Sequence, residues 1–487
     1  MKWFGVVALI VAAHAGAVHV NPGGSGQVLI YPYYTIDDTF QTLLTVVNHT
    51  DDTKIARVSV RESINGRLVE RQIIYLAPRD TWTAAIFRNS SDGTALIQSA
   101  DESCNIPDYP LTARFRTILY TGAFADGGPQ DEARNHRGYV EVFELGILDE
   151  DISPVVTGLE AAVLSPSREN CRKLLDAWTP SAQGADPAPD AYWVADPDTD
   201  VAPPRGGLSG TATLVRVDRG TAFSYSAIAI ENFFLPDDAA TLNGPGGPNG
   251  DLLTLATARQ GAQGDSVSST VIADDGVVQS SWDEPIDAIS AVLMAAKLDG
   301  EFSREPDIES TTEWIFTLPT RFAYVNGDLA PRAPFQRVFG DGEPIRVRPF
   351  DRSAEEYTRC FVFADVPPAA CAGDGRELAI YASARVYSSQ IDQDEPSILL
   401  AAPDHEMMFA GVADGVVFGQ SGSISVDLAE SGRELVSREG HVYHGLPIIA
   451  LQVLGLQNGT LQDGNVLANF GARSDMVRTV RVEGAGR

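Results

Sequence analysis

The amino-acid sequence predicts a mostly β protein, with two or more β-sandwich domains of immunoglobulin-like or jelly-roll-like type and a few short helices. Three observations lead there. Short runs rich in β-branched and aromatic residues recur from Gln27 onward, Asn, Asp and Gly turns separate them, and helical periodicity is confined to two stretches.

In chain order, Gln27-Val-Leu-Ile-Tyr-Pro-Tyr-Tyr-Thr35 and Thr42-Leu-Leu-Thr-Val-Val-Asn48 read as strands, followed by a turn-rich stretch from His49 to Thr53. Ile55 to Arg61 alternates apolar and polar residues, Asn65-Gly66 is a hairpin turn, and Leu68 to Leu76 returns as a strand. Thr81 to Phe87 adds another, and Gly138 to Glu144 is expected to complete this first domain. Leu159, Ala162, Val163, Cys171, Leu174, Leu175 and Trp178 then recur at helical intervals, with Pro166 dividing the stretch in two.

Pro180, Pro187, Pro189, Pro197, Pro203 and Pro204, mixed with Ala, Asp and Gly, give residues 179–207 the composition of a linker or long loop. The β pattern restarts at Thr211 to Val217 and Thr221 to Ile230. Leu242 to Asp251 is a Gly/Pro/Asn loop, and Ala288 to Lys297 a short helix. Trp314 to Thr320, Leu378 to Val386, Gly415 to Phe418 and Ile448 to Leu454 are further strands. The expected division is therefore a signal peptide (1–17), an N-terminal β-sandwich with a helical C-terminal segment (18–178), a linker or long loop (179–207), and a β-rich region (208–487) with room for two subdomains.

The first residues carry the export expectation. Met1-Lys2 supplies a positive charge, Trp3 to Ala13 is apolar or small, and Ala13-His14-Ala15 and Ala15-Gly16-Ala17 are overlapping small-x-small cleavage sites. The mature chain is expected to begin near Val18. An uncleaved anchor is the alternative, but the apolar run falls short of the roughly 20 residues that span a bilayer. The expected location is extracellular or at the cell surface, with the periplasm as the other compartment. No integral membrane span is expected.

With 36 basic and 66 acidic residues the net charge is −30, which disfavours phosphate backbones and anionic lipid surfaces. Nucleic acid is thus not an expected partner. The same field attracts divalent cations and basic partners, or serves only to keep the chain soluble. Calcium is the one cofactor that the composition admits. Asp196, Asp198 and Asp200 alternate as in a calcium loop, but Val201 stands where the turn needs glycine and Gly207 where the bidentate glutamate belongs. Asp237-Asp238 and Asp274-Asp275 are weaker oxygen donors in loops, against solvated charge as the plain alternative.

The four cysteines, Cys104, Cys171, Cys360 and Cys371, allow three connectivities. Sequence proximity favours Cys104–Cys171 and Cys360–Cys371, and no pair has the close spacing of a zinc site. Catalytic motifs are lacking. Gly207-Leu-Ser209-Gly-Thr211 and Gly419-Gln-Ser421-Gly-Ser423 miss the final glycine of a nucleophile elbow. His405-Glu406 does not continue into a zinc-peptidase motif, and His441 and His444 lack a glutamate at the right offset. Trp82 and Trp314, inside strands, are expected in the core rather than stacked on sugars.

Gly26-Gln-Val-Leu-Ile-Tyr-Pro-Tyr-Tyr-Thr35, Val46-Val-Asn48, Leu76-Ala-Pro-Arg-Asp-Thr-Trp-Thr83, Gly138-Tyr-Val-Glu-Val-Phe-Glu144 and Thr317-Leu-Pro-Thr320 together resemble an uncharacterised family of secreted proteobacterial proteins. The resemblance implies a bacterial envelope or extracellular location and carries no activity or site.

The leading functional expectation is a non-enzymatic structural or interaction protein of the surface or secreted matrix. Its partners would be other envelope components or further copies of itself. In a sharper form, Val28 to Tyr34 would pair with a neighbouring subunit's sheet edge, against its being the first strand of its own domain. An extracellular glycan- or calcium-binding module and an envelope glycan hydrolase are the alternatives.

Overall fold

Alternation along the Phe40–Asn48 strand sets the outer layer: Phe40, Thr42, Leu44, Val46 and Asn48 turn inward while their neighbours face outward. This strand pairs antiparallel with Leu208–Arg216 on one side and Thr81–Arg88 on the other. The sheet ends at Thr221–Ser226 on one edge and runs through Ala95–Gln98 to Thr112–Arg114 on the other. The computed structural model describes residues 16–107, 109–148, 154–178, 192–195, 201–234, 254–257, 266–325, 331–338, 340–354, 376–390, 395–408, 420–429, 432–461 and 466–484.

Against this layer lies a second sheet, in the order His19–Val20, Ile228–Glu231, Val28–Thr35, Arg137–Leu148, Thr53–Glu62, Leu68–Leu76 and Asn105–Ile106. Leu29, Tyr31, Val58, Val60 and Val142 meet Leu44, Val46, Trp82, Ala212 and Leu214 in one core. Each fully buried aliphatic side chain there contributes about 1.5–3 kcal/mol. The opposite face of the second sheet is covered too. Val28, Ile30, Ile55, Tyr75 and Phe143 pack with Leu159, Cys171, Leu174 and Trp178 of the helices Pro154–Leu164 and Arg168–Trp178. Cys104 and Cys171 form a disulfide, and Trp178 Nε1 donates to Tyr75 Oη at 2.6 Å, so the second helix is tied to the sheet twice.

The C-terminal half adds two five-stranded sheets. One runs Arg376–Ile380, Glu343–Asp351, Ser421–Asp427, Lys297–Ser303, Val477–Thr479, and the other Glu406–Met407, Ala384–Ser388, Thr311–Thr317, Ile449–Leu461, Val466–Asp475. Trp314 and Phe316 share a core with Leu298, Phe302, Val347 and Val426. Ile315, Val386, Leu451 and Val453, on the other face, join the core of the first sandwich. Backbone bonds close the contact: Ser383 N donates to Ile64 O at 3.1 Å and Ala384 N to Ser63 O at 2.9 Å. No described helix is long and apolar enough to cross a membrane, which does not bear on spanning by strands.

The mostly β expectation and the Cys104–Cys171 pair hold, and Trp82 and Trp314 are fully buried. Four expectations need correction. Residues 179–207 do not separate two units: Leu208–Arg216, Thr221–Ser226 and Ile228–Glu231 return to the first two sheets, because composition marks where periodicity lapses but not which sheet the next strand joins. Gly138 to Glu144 joins the first sandwich but does not complete it: Arg137–Leu148 lies between Val28–Thr35 and Thr53–Glu62, and strands after residue 207 follow it into the same sheets. Val28–Thr35 is wholly buried, paired with Arg137–Leu148 on one side and, over Val28–Ile30, with Ile228–Glu231 on the other, so it is an inner strand of its own sheet rather than one held out to another subunit. The helix expected at Ala288 to Lys297 spans Pro285–Leu293, with proline in its first turn. Cys360, Cys371 and the strand expected at Gly415 to Phe418 lie outside the described residues.

Cys104 and Cys171 are separated by 67 positions, and closing a loop of that size stabilises a fold by about 4 kcal/mol through chain entropy. The C104S/C171S double variant is expected to lose on that order of stability in chemical denaturation while keeping its far-ultraviolet β signature. An unchanged midpoint would show that the helix is held by packing alone.

Candidate functional site

Where the first sandwich meets the shared C-terminal sheet, the seam opens into a cleft of about 910 Å³. The first sandwich contributes the Asp37-Asp38 turn, which links Val28–Thr35 to Phe40–Asn48, and Arg216 and Arg219 from the end of Leu208–Arg216 and the turn after it. Asp38 has φ 53°, a left-handed turn conformation that Asp tolerates better than most residues. The other wall carries Arg304, just past Lys297–Ser303, together with Ser310, Thr311, Ser389 and Gln390 and the 395–403 loop.

Most charges here are committed to one another. Arg216 Nη2 donates to Asp38 Oδ2 at 2.6 Å, Nε to Asp218 Oδ1 at 3.2 Å and Nη1 to the Ile398 carbonyl at 2.8 Å, which bridges the two walls. Asp37 is held by Arg137 Nε at 2.7 Å with His136 Nδ1 at 3.4 Å. From there a ladder crosses the seam: Arg137 pairs with Asp404, Arg385 with Asp404 at 2.8 Å, and Arg385 with Glu406 at 3.0 Å. Arg219 and Arg304 differ. Neither guanidinium has an ion pair or side-chain hydrogen bond among the described residues. Partial burial lowers the pKa of Arg304 without any acid to restore it.

Beneath the loop lies Glu313, in the fully buried Thr311–Thr317 strand. Its Oε1 accepts Leu399 N at 2.7 Å, and its Oε2 accepts Ser397 Oγ at 2.9 Å and Leu400 N at 3.0 Å. Burial outweighs these three donors and pushes the carboxyl up to about 7. One carboxyl thereby shapes the loop whose Ser397 and Ile398 line the cleft.

A glycan hydrolase uses two facing carboxylates with room for a sugar ring. Of the carboxylates lining this cleft, Asp37 and Asp38 are held by arginines and Glu395 stands on the 395–403 loop; no aromatic side chain is among the described lining residues. Two serine–histidine side-chain pairs occur elsewhere among the described residues. Ser280 Oγ lies 2.9 Å from His441 Nδ1, yet it is buried and also bonded to Tyr443 Oη at 2.8 Å. Ser209 Oγ lies 2.7 Å from His49 Nε2 on the outer sheet, in an extended strand rather than a strand-to-helix elbow. No carboxylate among the described residues pairs with His49 to complete a triad.

Among the calcium candidates, Asp274 and Asp275 sit at the tip of the hairpin Val267–Ala273/Gly276–Trp282. Asp274 Oδ1 accepts Val480 N at 3.3 Å, so it fastens the hairpin to the chain's end. Asp196, Asp198, Asp200, Asp237 and Asp238 lie outside the described residues. No group of three His, Cys, Asp or Glu side chains that could hold a metal occurs among the described residues. His444 is flanked by Glu434 at 3.6 Å and Glu483 at 3.4 Å, and His405 Nδ1 contacts the Ala402 carbonyl at 3.2 Å. Sequence reading missed the cleft altogether. The available signal was Glu313, a lone charge inside the apolar run Trp314-Ile-Phe316 and its threonine flanks.

Glu313 makes stability depend on pH. Its pKa is higher in the folded than in the unfolded chain, so its contribution is complete below about 4.5 and is lost as pH rises through about 7. The loss amounts to something on the order of 3 kcal/mol. In Glu313→Gln the amide NH2 faces a backbone N–H, which costs about 1–3 kcal/mol at pH 5. The fall in denaturation midpoint between pH 5 and 8.5 should shrink in that variant, and an unchanged slope would assign the titration elsewhere. Comparison with protein-family models, curated proteins and solved structures finds no match for this chain.

Proposed function

We propose that this is an exported, non-enzymatic interaction protein of the cell surface or extracellular space, whose seam cleft receives an anionic group of its partner. The observation that carries this reading is the pair Arg219 and Arg304, two guanidinium groups without acidic partners among the described residues, lining one large cleft. In a chain with 66 acidic and 36 basic residues, arginine finds carboxylates easily, as Arg216, Arg137 and Arg385 do. Guanidinium groups recognise carboxylates by paired, charge-assisted hydrogen bonds. The hydroxyl of Thr311 on the same wall suits a sugar hydroxyl, whereas those of Ser310 and Ser389 already accept Glu305 N and Thr312 N. A carboxylate-bearing glycan fits this chemistry.

The test is binding of acidic oligosaccharides, such as uronate chains, beside neutral chains of equal length, to the wild type and to the R219M/R304M variant. Acidic chains should bind in a salt-sensitive way and lose tenfold or more in the double variant. Equal binding of neutral chains, or none of either, would sink the reading.

The first strand bears on where a leader would be cut. Val18 is buried, its N donates to Ser268 O at 2.8 Å, and its carbonyl accepts Thr270 N at 2.8 Å. The Ala17 carbonyl accepts Asn232 Nδ2 at 3.2 Å. Cleavage after Ala15 would keep these bonds, whereas cleavage after Ala17 would remove that carbonyl and put a charged amine at a buried position. N-terminal sequencing of the exported protein is expected to begin at Gly16; retention of Met1 in a cell-associated product would count against cleavage.

A further inference from the structure

Arg321 opens the short helix Arg321–Tyr324 that follows the buried Thr311–Thr317 strand. Its side chain is completely buried, and Nε, Nη1 and Nη2 all lack a hydrogen-bond partner among the described residues. Other polar side chains beside this helix are paired. Ser290 Oγ donates to Thr320 Oγ1 at 3.0 Å, and Tyr324 Oη donates to Asp287 Oδ1 at 2.6 Å. Asp287 in turn takes Arg332 Nη1 at 3.0 Å.

Glu343 is the carboxylate whose charge acts on Arg321, and it is directed elsewhere. Its oxygens accept Gln336 N at 3.0 Å, Arg337 N at 2.9 Å and, at 3.5 Å, Arg433 Nη2. Glu343 is thus already committed to Arg433 and to two backbone N–H groups, and its oxygens make no hydrogen bond to the Arg321 guanidinium. A guanidinium does not escape by losing its proton, and a core does not leave a charge without hydrogen bonds and counter-charge.

We infer that Arg321 holds a small monovalent anion, of halide size, inside the C-terminal sandwich. Water alone would satisfy the N–H donors but leave the charge; an anion answers both needs. The size follows from the enclosure: Ser290, Thr320, Arg321 and Glu343 are all fully buried, which leaves no mouth for a larger ligand. The site is separate from the seam cleft, whose lining does not include Arg321.

Thermal unfolding of the full chain, with sodium gluconate replaced by sodium bromide at constant ionic strength, tests this. A ligand bound only by the native state raises Tm saturably, here by on the order of 5 °C. Arg321→Met, which keeps the bulk and removes the charge, is expected to abolish the rise. No bromide-specific rise in the wild type, or an equal rise in the variant, overturns the assignment. Should Arg321→Met fail to fold, wild-type crystals grown in bromide decide the matter. An anomalous peak at hydrogen-bonding distance from the guanidinium supports the site, and ordered water without such a peak overturns it.

Discussion

Arg137–Leu148 runs through the middle of the second sheet with a partner strand on each side and both faces covered, so every charge it carries must be answered inside the protein. Glu141 meets Arg61 at 2.6 Å and Glu144 meets Lys54 at 2.5 Å, across the neighbouring Thr53–Glu62 strand. Glu144 also accepts the backbone N–H groups of Arg205 and Gly206, which fastens the chain just before it re-enters the first sandwich. Removing one partner of such a buried pair costs about 3–5 kcal/mol, because the other charge is left without compensation. At Glu231 compensation is incomplete. Burial, reinforced by the charge of Glu144, pushes its carboxyl up to about 7.

Covering both faces of that sheet also explains why the two halves of the chain do not stand apart. The Thr311–Thr317 strand turns Trp314 and Phe316 to one core and Ile315 to the other. A layer buried on both sides belongs to two sandwiches at once, and its central strand Thr311–Thr317 is buried throughout rather than alternately. The seam that results is polar at its rim, where the ladder from Asp37 through Arg137, Asp404 and Arg385 to Glu406 crosses it. The cleft lies beside this ladder, with one wall fixed by Arg216 and the loop opposite shaped by Glu313.

Charge at two length scales gives the proposed function its selectivity. The net charge of −30 repels extended polyanions over the range of a Debye length, about 8 Å at physiological salt. Within the cleft, Arg219 and Arg304 act at contact distance, where local geometry rather than net charge decides affinity. A ligand with isolated carboxylates among hydroxyls suits both conditions better than a dense phosphate chain does.

Local strand signals were legible in the sequence by itself: β-branched and aromatic runs, the Asn65-Gly66 turn, alternation along Phe40–Asn48, and a helix ending at Trp178. These depend on neighbours in the chain, and the structure places them within a few residues of expectation. The Cys104–Cys171 bond was legible as well, through spacing and the helical setting of Cys171. Tertiary structure alone decided where the strands after residue 207 pair, since pairing over such separations is set by which surfaces remain to be buried. It alone decided the fate of the polar positions in Thr53–Glu62. Their alternation reads as a half-exposed strand, yet Lys54, Arg57 and Arg61 are buried because both faces of the strand are covered. The same holds for the cleft and for Arg321. A single arginine in a sequence looks like surface charge, and only the packing of distant segments shows which ones lack an acid.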